Sequence, residues 1–120
     1  MPAIDFSRFH RYAELVALLK SFAAERPDVV AYSEIGTSHE GRTIPLLTLT
    51  RFATGKAEDK PAYWVDGNIH SVELSATSAC LYFVDWLLKH DGKDANVTRQ
   101  LDTRTLYVAP RLNPDGAEWA

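Results

Sequence analysis

At 120 residues the chain has the length of one ordinary domain, and its 46% hydrophobic and 24% charged residues exclude disorder and a coiled coil. A net charge of −3 with no basic block removes the electrostatic basis for binding nucleic acid or an anionic membrane. No apolar run approaches the roughly 20 residues that span a bilayer, and MPAIDFSRFHRY lacks the basic head and apolar core of a signal peptide, so a cytoplasmic protein is expected.

Along the chain, apolar residues at Tyr12, Leu15, Leu19 and Phe22, widened by Leu18, predict a helix from about Phe9 to Glu25. Ser7 is its expected N-cap, and Pro27 ends it by disfavouring the helical conformation at Arg26. Val29–Ile35 and Thr43–Thr50 are rich in β-branched and apolar residues and read as strands. The loop between them, GTSHEGR, has glycines at 36 and 41, which predicts an antiparallel hairpin at a sheet edge with an exposed polar loop. Ala53–Pro61 reads as a surface loop.

Ala62–Val65 is a short buried-type strand broken by Asp66-Gly67-Asn68. The helical pattern returns from Glu73 to His90 through Leu74, Thr77, Leu81, Val84 and Leu88, and Gly92 ends it. The lone cysteine, Cys80, lies on that apolar stripe and reads as a small buried hydrophobe. A polar stretch follows, then a last strand, Thr105–Ala109, closed by PRLNPDG. Strand, helix and strand form a βαβ unit, which places the two strands parallel in one sheet.

Ligands of open α/β sheets bind beyond the carboxyl ends of parallel strands. His70 follows the first such end and RLNPDG the second, so two polar segments distant in sequence share one rim. Zinc accepts imidazole nitrogen and carboxylate oxygen, and His70 and Glu73 stand three apart, at neighbouring positions of one helical turn. The same spacing also suits a Glu favourable to the helix dipole beside a hydrogen-bonded loop histidine.

Four segments carry a resemblance across nearly the whole chain: RYAELVALL, IGTSHEGRTIPLLTL, VDGNIHSVE and LYVAPRLNPDG. In this order they resemble the N-terminal part of a zinc carboxypeptidase of the M14 (carboxypeptidase A) family. The resemblance implies an α/β, phosphorylase/hydrolase-like fold, a mixed sheet flanked by helices and incomplete at its C-terminus. Residues 1–120 then form the N-terminal part of one peptidase M14 catalytic domain. The cofactor is zinc, held by His70 and Glu73. The implied reaction is hydrolysis of the C-terminal peptide bond of a substrate with a free C-terminus by a zinc-activated water, with a glutamate as base and then acid.

By the same resemblance, the third ligand, a histidine, lies well beyond Asn113. The substrate tyrosine and the catalytic glutamate lie beyond Ala120, so no catalytic residue is expected within the chain, which reads as truncated. Digestive members carry an arginine between the histidine and glutamate, where this sequence reads Ser71-Val72, so their specificity does not transfer. Asp66 matches a family aspartate and reads either as a group bonding behind the zinc ligands or as a turn former. Arg111 reads as facing the substrate rim or as a structural ion pair. Asn113, Pro114, Asp115 and Gly116 read as a structured turn shaping that rim. His10, His39 and His90 match no ligand motif and are expected as surface or capping residues. Two other readings are an acyl-amino-acid amidohydrolase of the desuccinylase or aspartoacylase type and a non-catalytic α/β binding module.

Overall fold

The N-terminal apolar stripe forms a helix, α1 (Tyr12–Glu25), in the computed structural model, which describes all of Met1–Ala120. It buries Leu15, Leu19 and Phe22 and stops before Pro27 as expected. Its start falls at Tyr12, later than the expected Phe9, and Ser7 is not its cap. The Ser7 amide and hydroxyl both donate to Asp5, a local arrangement that competes with helix formation. The N-cap residue Arg11 contributes no side-chain bond. Instead the Glu118 carboxylate, 106 residues away from Tyr12, accepts the Tyr12 amide at 2.8 Å.

β1 (Val30–Thr37) and β2 (Thr43–Leu49) pair antiparallel as the expected hairpin, with a register irregularity between Glu34 and Thr37. Gly41 takes the left-handed conformation, φ 88°, that the tight return requires. β3 (Ala62–Asp66) and β4 (Thr105–Ala109) run parallel, from Ala62 opposite Thr105 to Asp66 opposite Ala109, but β3 is a largely exposed edge strand rather than the buried-type strand expected. β2 pairs antiparallel with β4, so the sheet is mixed, in the order β1-β2-β4-β3 with the hairpin at its edge.

The crossover from β3 to β4 is α2 (Leu74–His90) followed by α3 (Ala95–Thr103). α3 corrects the reading of that stretch as a polar connection. Asp94 caps it by accepting the amides of Asn96 and Val97. Only Val97 and Leu101, one turn apart, face inward, so the polar residues around them hid the helical period. α4 (Pro114–Trp119) closes the chain. No helix is long and apolar enough to cross a membrane.

Side-chain alternation places Val30, Leu49 and Leu106 in one row across the sheet and Leu47, Val108 and Val65 in the next. These rows pack against Leu15, Leu19 and Phe22 of α1, Leu81, Val84 and Leu88 of α2, and Val97 and Leu101 of α3. Each fully buried aliphatic side chain contributes about 1.5–3 kcal/mol. Cys80 joins this core as expected, and burial pushes its thiol pKa up to about 11, which keeps it an unreactive thiol.

The end of the sheet opposite the rim is held by charge. Asp91, just past α2, bonds Arg26 beyond α1 at 2.8 Å and Arg51 beyond β2 at 2.5 Å. Arg26 also holds Asp28 at 3.0 Å, and Arg51 holds Asp102 of α3 at 2.7 Å. Burial pushes the Asp91 carboxyl up, but the hydrogen bonds from the two arginines outweigh it and hold it below the usual carboxylate range. Asp91→Ala is therefore expected to lower stability by about 1.5–3 kcal/mol, the range for hydrogen bonds to charged groups, read from urea unfolding.

Candidate metal centre

The site is built where β3 and β4 end. The parallel ladder continues past the strands: the Gly67 amide donates to Ala109 O at 3.0 Å, Leu112 N to Gly67 O at 3.0 Å, and Asn113 N to Asn68 O at 3.1 Å. A Cβ on Gly67 would lie 3.1 Å from the backbone and side chain of Ala76, so glycine lets the first turn of α2 close over the end of β3. Asn68 follows with φ 57° and is buried. Its amide nitrogen donates to His70 O at 2.8 Å.

That turn delivers His70 and Glu73. The Glu73 amide donates to His70 O at 3.1 Å, and His70 Nδ1 stands 3.0 Å from Glu73 Oε1. Their side chains are 76% and 50% exposed, so both donor atoms converge while open to solvent. Two ligands of a tetrahedral zinc with bonds near 2.1 Å are about 3.4 Å apart; small rotations of these side chains reach that separation. The pair thus fits two positions of a zinc ion in both atom type and spacing. No group of three or more His, Cys, Asp and Glu side chains is gathered anywhere in the chain.

The other singled-out residues fall differently. Asp66 does not bond His70; it accepts the Trp64 indole N–H at 2.7 Å on the exposed end of β3. Arg111 neither faces the open rim nor forms an ion pair. It is 1% exposed, with Nε donating to Asn68 Oδ1 at 2.9 Å and Nη1 to His10 O at 3.0 Å. His10, expected at the surface, is buried, and its Nδ1 has no partner; the segment ahead of α1 folds over Arg111 and takes it inside. His39 is exposed on the hairpin. His90 closes the end of α2, its Nδ1 2.7 Å from Trp86 O and its ring stacked on Trp86.

The NPDG run, expected as a structured turn, is the start of a helix. Asn113 Oδ1 accepts the Gly116 amide at 2.9 Å, and Pro114 occupies the first helical turn of α4. A Cβ on Gly116 would stand 2.7 Å from Ser71 Cβ and 2.5 Å from Asn113 Nδ2, so α4 abuts the His70–Glu73 turn directly. The hairpin loop, expected to be wholly solvated, is tied to the same helix. Asp115 accepts the Ser38 hydroxyl at 2.7 Å, the Glu40 amide at 2.9 Å and Arg42 Nη1 at 2.9 Å. The sequence offered a signal for this clamp, two charged motifs with one acid and one arginine each able to pair, but nothing local joins them.

The zinc carboxypeptidase family matches residues 15–120. Carboxypeptidase B of Astacus astacus is 35% identical over 113 residues, which cover 94% of this chain and 35% of that protein. Carboxypeptidase A1 of Homo sapiens is 33% identical over 112 residues, covering 93% and 26%. Among solved structures, the thrombin activatable fibrinolysis inhibitor superposes with a TM-score of 0.82 at 27% identity, covering 93% of this chain and 27% of that one. The chain thus spans about a quarter to a third of the length of these relatives.

Two outcomes follow from this geometry. Gly116→Ala should cost about 1–3 kcal/mol, the range for overpacking a filled site, in thermal or urea unfolding. For Asp115, burial pushes the carboxyl up, but Ser38, the Glu40 amide and Arg42 outweigh it and hold it below its ordinary value. A depressed folded pKa adds stability that is fully present above the unfolded pKa of about 3.9 and is lost as pH falls through the folded value. Asp115→Asn should therefore lower Tm at pH 7 and flatten its fall below pH 4.

Proposed function

The chain belongs to the zinc carboxypeptidase family, and from that premise we propose that residues 1–120 are the amino-terminal part of a zinc metallocarboxypeptidase domain. In this reading His70 and Glu73 are two of the zinc ligands, and the third ligand and the general base come from polypeptide outside these residues. The observation that carries it is the convergence of His70 Nδ1 and Glu73 Oε1, 3.0 Å apart, beyond the carboxyl end of a parallel strand. Bound there, zinc would act as a Lewis acid toward a peptide carbonyl and as an activator of water.

The chain's own residues supply the platform. The turn from Gly67 to Glu73 presents the two ligands, α4 backs it, and Asn113 holds the start of α4. Ser71 and Val72, the latter 76% exposed beside the pair, stand where digestive carboxypeptidases carry an arginine between the two ligands, so their substrate preference does not transfer. The substrate class is a peptide with a free C-terminus. The clamp of Ser38 and Arg42 on Asp115 joins the two motifs that favour the peptidase over the amidohydrolase reading. The intact pair weighs against a binding module without chemistry.

Zinc titration of the 120-residue chain tests this. His70→Ala and Glu73→Ala should each weaken binding at least tenfold, while His39→Ala and His90→Ala leave it unchanged. With two ligands, the chain should bind zinc weakly and hydrolyse no peptide, because affinity depends on a complete oriented set. Tight stoichiometric zinc and peptide turnover by residues 1–120 alone would overturn the assignment of the remaining machinery to other polypeptide. Unchanged zinc binding after Glu73→Ala would overturn the ligand assignment.

A further inference from the structure

Arg111 is a buried cation whose hydrogen-bond acceptors are neutral, with Glu118 and Arg11 as the nearby charges. It forms no salt bridge, and its two acceptors are the side-chain oxygen of Asn68 and the backbone carbonyl of His10. Taking a charge out of water without bonding it to an opposite charge is costly, and burial drives the guanidinium pKa down despite the nearby Glu118. Hydrophobic packing alone would be served as well by an apolar side chain of similar length. What an apolar residue cannot do is span two carbonyl-type oxygens with a rigid fork of N–H donors.

Asn68 is the second half of the device. It is 1% exposed and sits at φ 57°, a left-handed conformation that asparagine tolerates better than most residues. All of its side-chain polar atoms are engaged. Oδ1 takes the Arg111 Nε bond and lies 3.2 Å from the Thr77 hydroxyl, which donates at 2.7 Å to Pro110 O. Nδ2 donates to His70 O at 2.8 Å and approaches Ser71 O at 3.4 Å. The His70 carbonyl also accepts the Glu73 amide, so the oxygen that Asn68 grips is the one that closes the turn between the two metal-ligand candidates. A continuous chain of hydrogen bonds therefore runs from the segment ahead of α1, through Arg111 and Asn68, to the backbone that aims His70 and Glu73.

Resting on the zinc reading above, we propose that Asn68 and Arg111 are positioning residues that hold the 67–73 turn so that the His70 imidazole and Glu73 carboxylate converge on one ion. Neither touches the ion or the substrate. Arg111 fixes the Asn68 amide plane, and Asn68 fixes the His70 carbonyl. Supporting groups of this kind change metal affinity by about 10–100-fold when removed, through the geometry of the ligands rather than through global stability.

The experiment compares the 120-residue chain with Asn68→Gly and Arg111→Lys. Glycine accepts the left-handed φ without a side-chain amide, and lysine keeps the charge without the fork. Two quantities are read: amide hydrogen exchange of Ser71–Glu73 by NMR, relative to the interiors of α2 and β4, and affinity for Zn²⁺ alone by titration. The expected result is exchange at Glu73 at least tenfold faster in Asn68→Gly, while α2 and β4 keep their protection, with zinc affinity about tenfold weaker. Arg111→Lys should move both readouts in the same direction by a smaller factor. Unchanged exchange at Ser71–Glu73 in Asn68→Gly overturns the proposal whatever zinc does, as does a uniform loss of protection across the whole chain. Should His70→Ala leave wild-type zinc binding untouched, the ligand reading falls by itself, and the exchange measurement still decides whether Asn68 holds the turn.

Discussion

Everything on the rim depends on the parallel pairing of β3 with β4 and on its continuation beyond both strands. Parallel strands require a long crossover, so the residues that meet at their ends are far apart in sequence. Here the ladder runs on through Gly67, Leu112, Asn68 and Asn113 after the regular strands have stopped. Backbone bonds between the two turns remove the freedom that loops normally have at such a place. The His70–Glu73 turn is therefore an extension of the sheet, and its geometry is inherited from the core rows of Leu47, Val108 and Val65 beneath it.

On this base, three segments close together. The hairpin loop reaches α4 through Asp115, α4 reaches the ligand turn through the close approach of Gly116 to Ser71, and α1 reaches α4 through Glu118. Glu118 also pairs with Arg11 at 3.0 Å. Each tie is modest by itself, since partly exposed ion pairs contribute little. Their effect is to specify one arrangement: a glycine that admits no side chain and a carboxylate with three donors have few alternative partners. The charged cluster around Asp91 does the same at the opposite end, leaving the apolar core between two polar clamps.

Zinc chemistry needs donors that are available, and rigidity needs donors that are occupied. The structure separates these demands by position. The side chains of His70 and Glu73 are exposed and bond only each other, whereas those of Asn68, Thr77 and Arg111 just beneath them are buried and bonded. A buried polar network is favourable only when its members are satisfied, and this one is anchored by a cation that finds two oxygens in place of a counter-ion.

Much of the fold was legible from the residues. The stripe of α1, the hairpin around Gly41, the βαβ unit and the pairing of His70 with Glu73 all rest on spacings of a few residues, and short spacing translates directly into a shared helix face or strand face. Local polarity hid α3, because two inward residues are too few to impose a period on nine. The misplaced start of α1 has another cause: Ser7 found Asp5, and the true cap arrives from Glu118 at the far end of the chain. Arg111 and His10 were misjudged for the same reason, and the partners of Asp115 were not foreseen. Whether an arginine is a rim contact, an ion pair or a buried strut depends on which oxygens the fold brings to it. The sequence by itself determined α1, the hairpin, the βαβ unit and the two candidate ligands, because those follow from short-range periodicity and side-chain chemistry. Only the tertiary structure decided what holds them, because those partners lie up to 106 residues apart and meet only after the strands have paired.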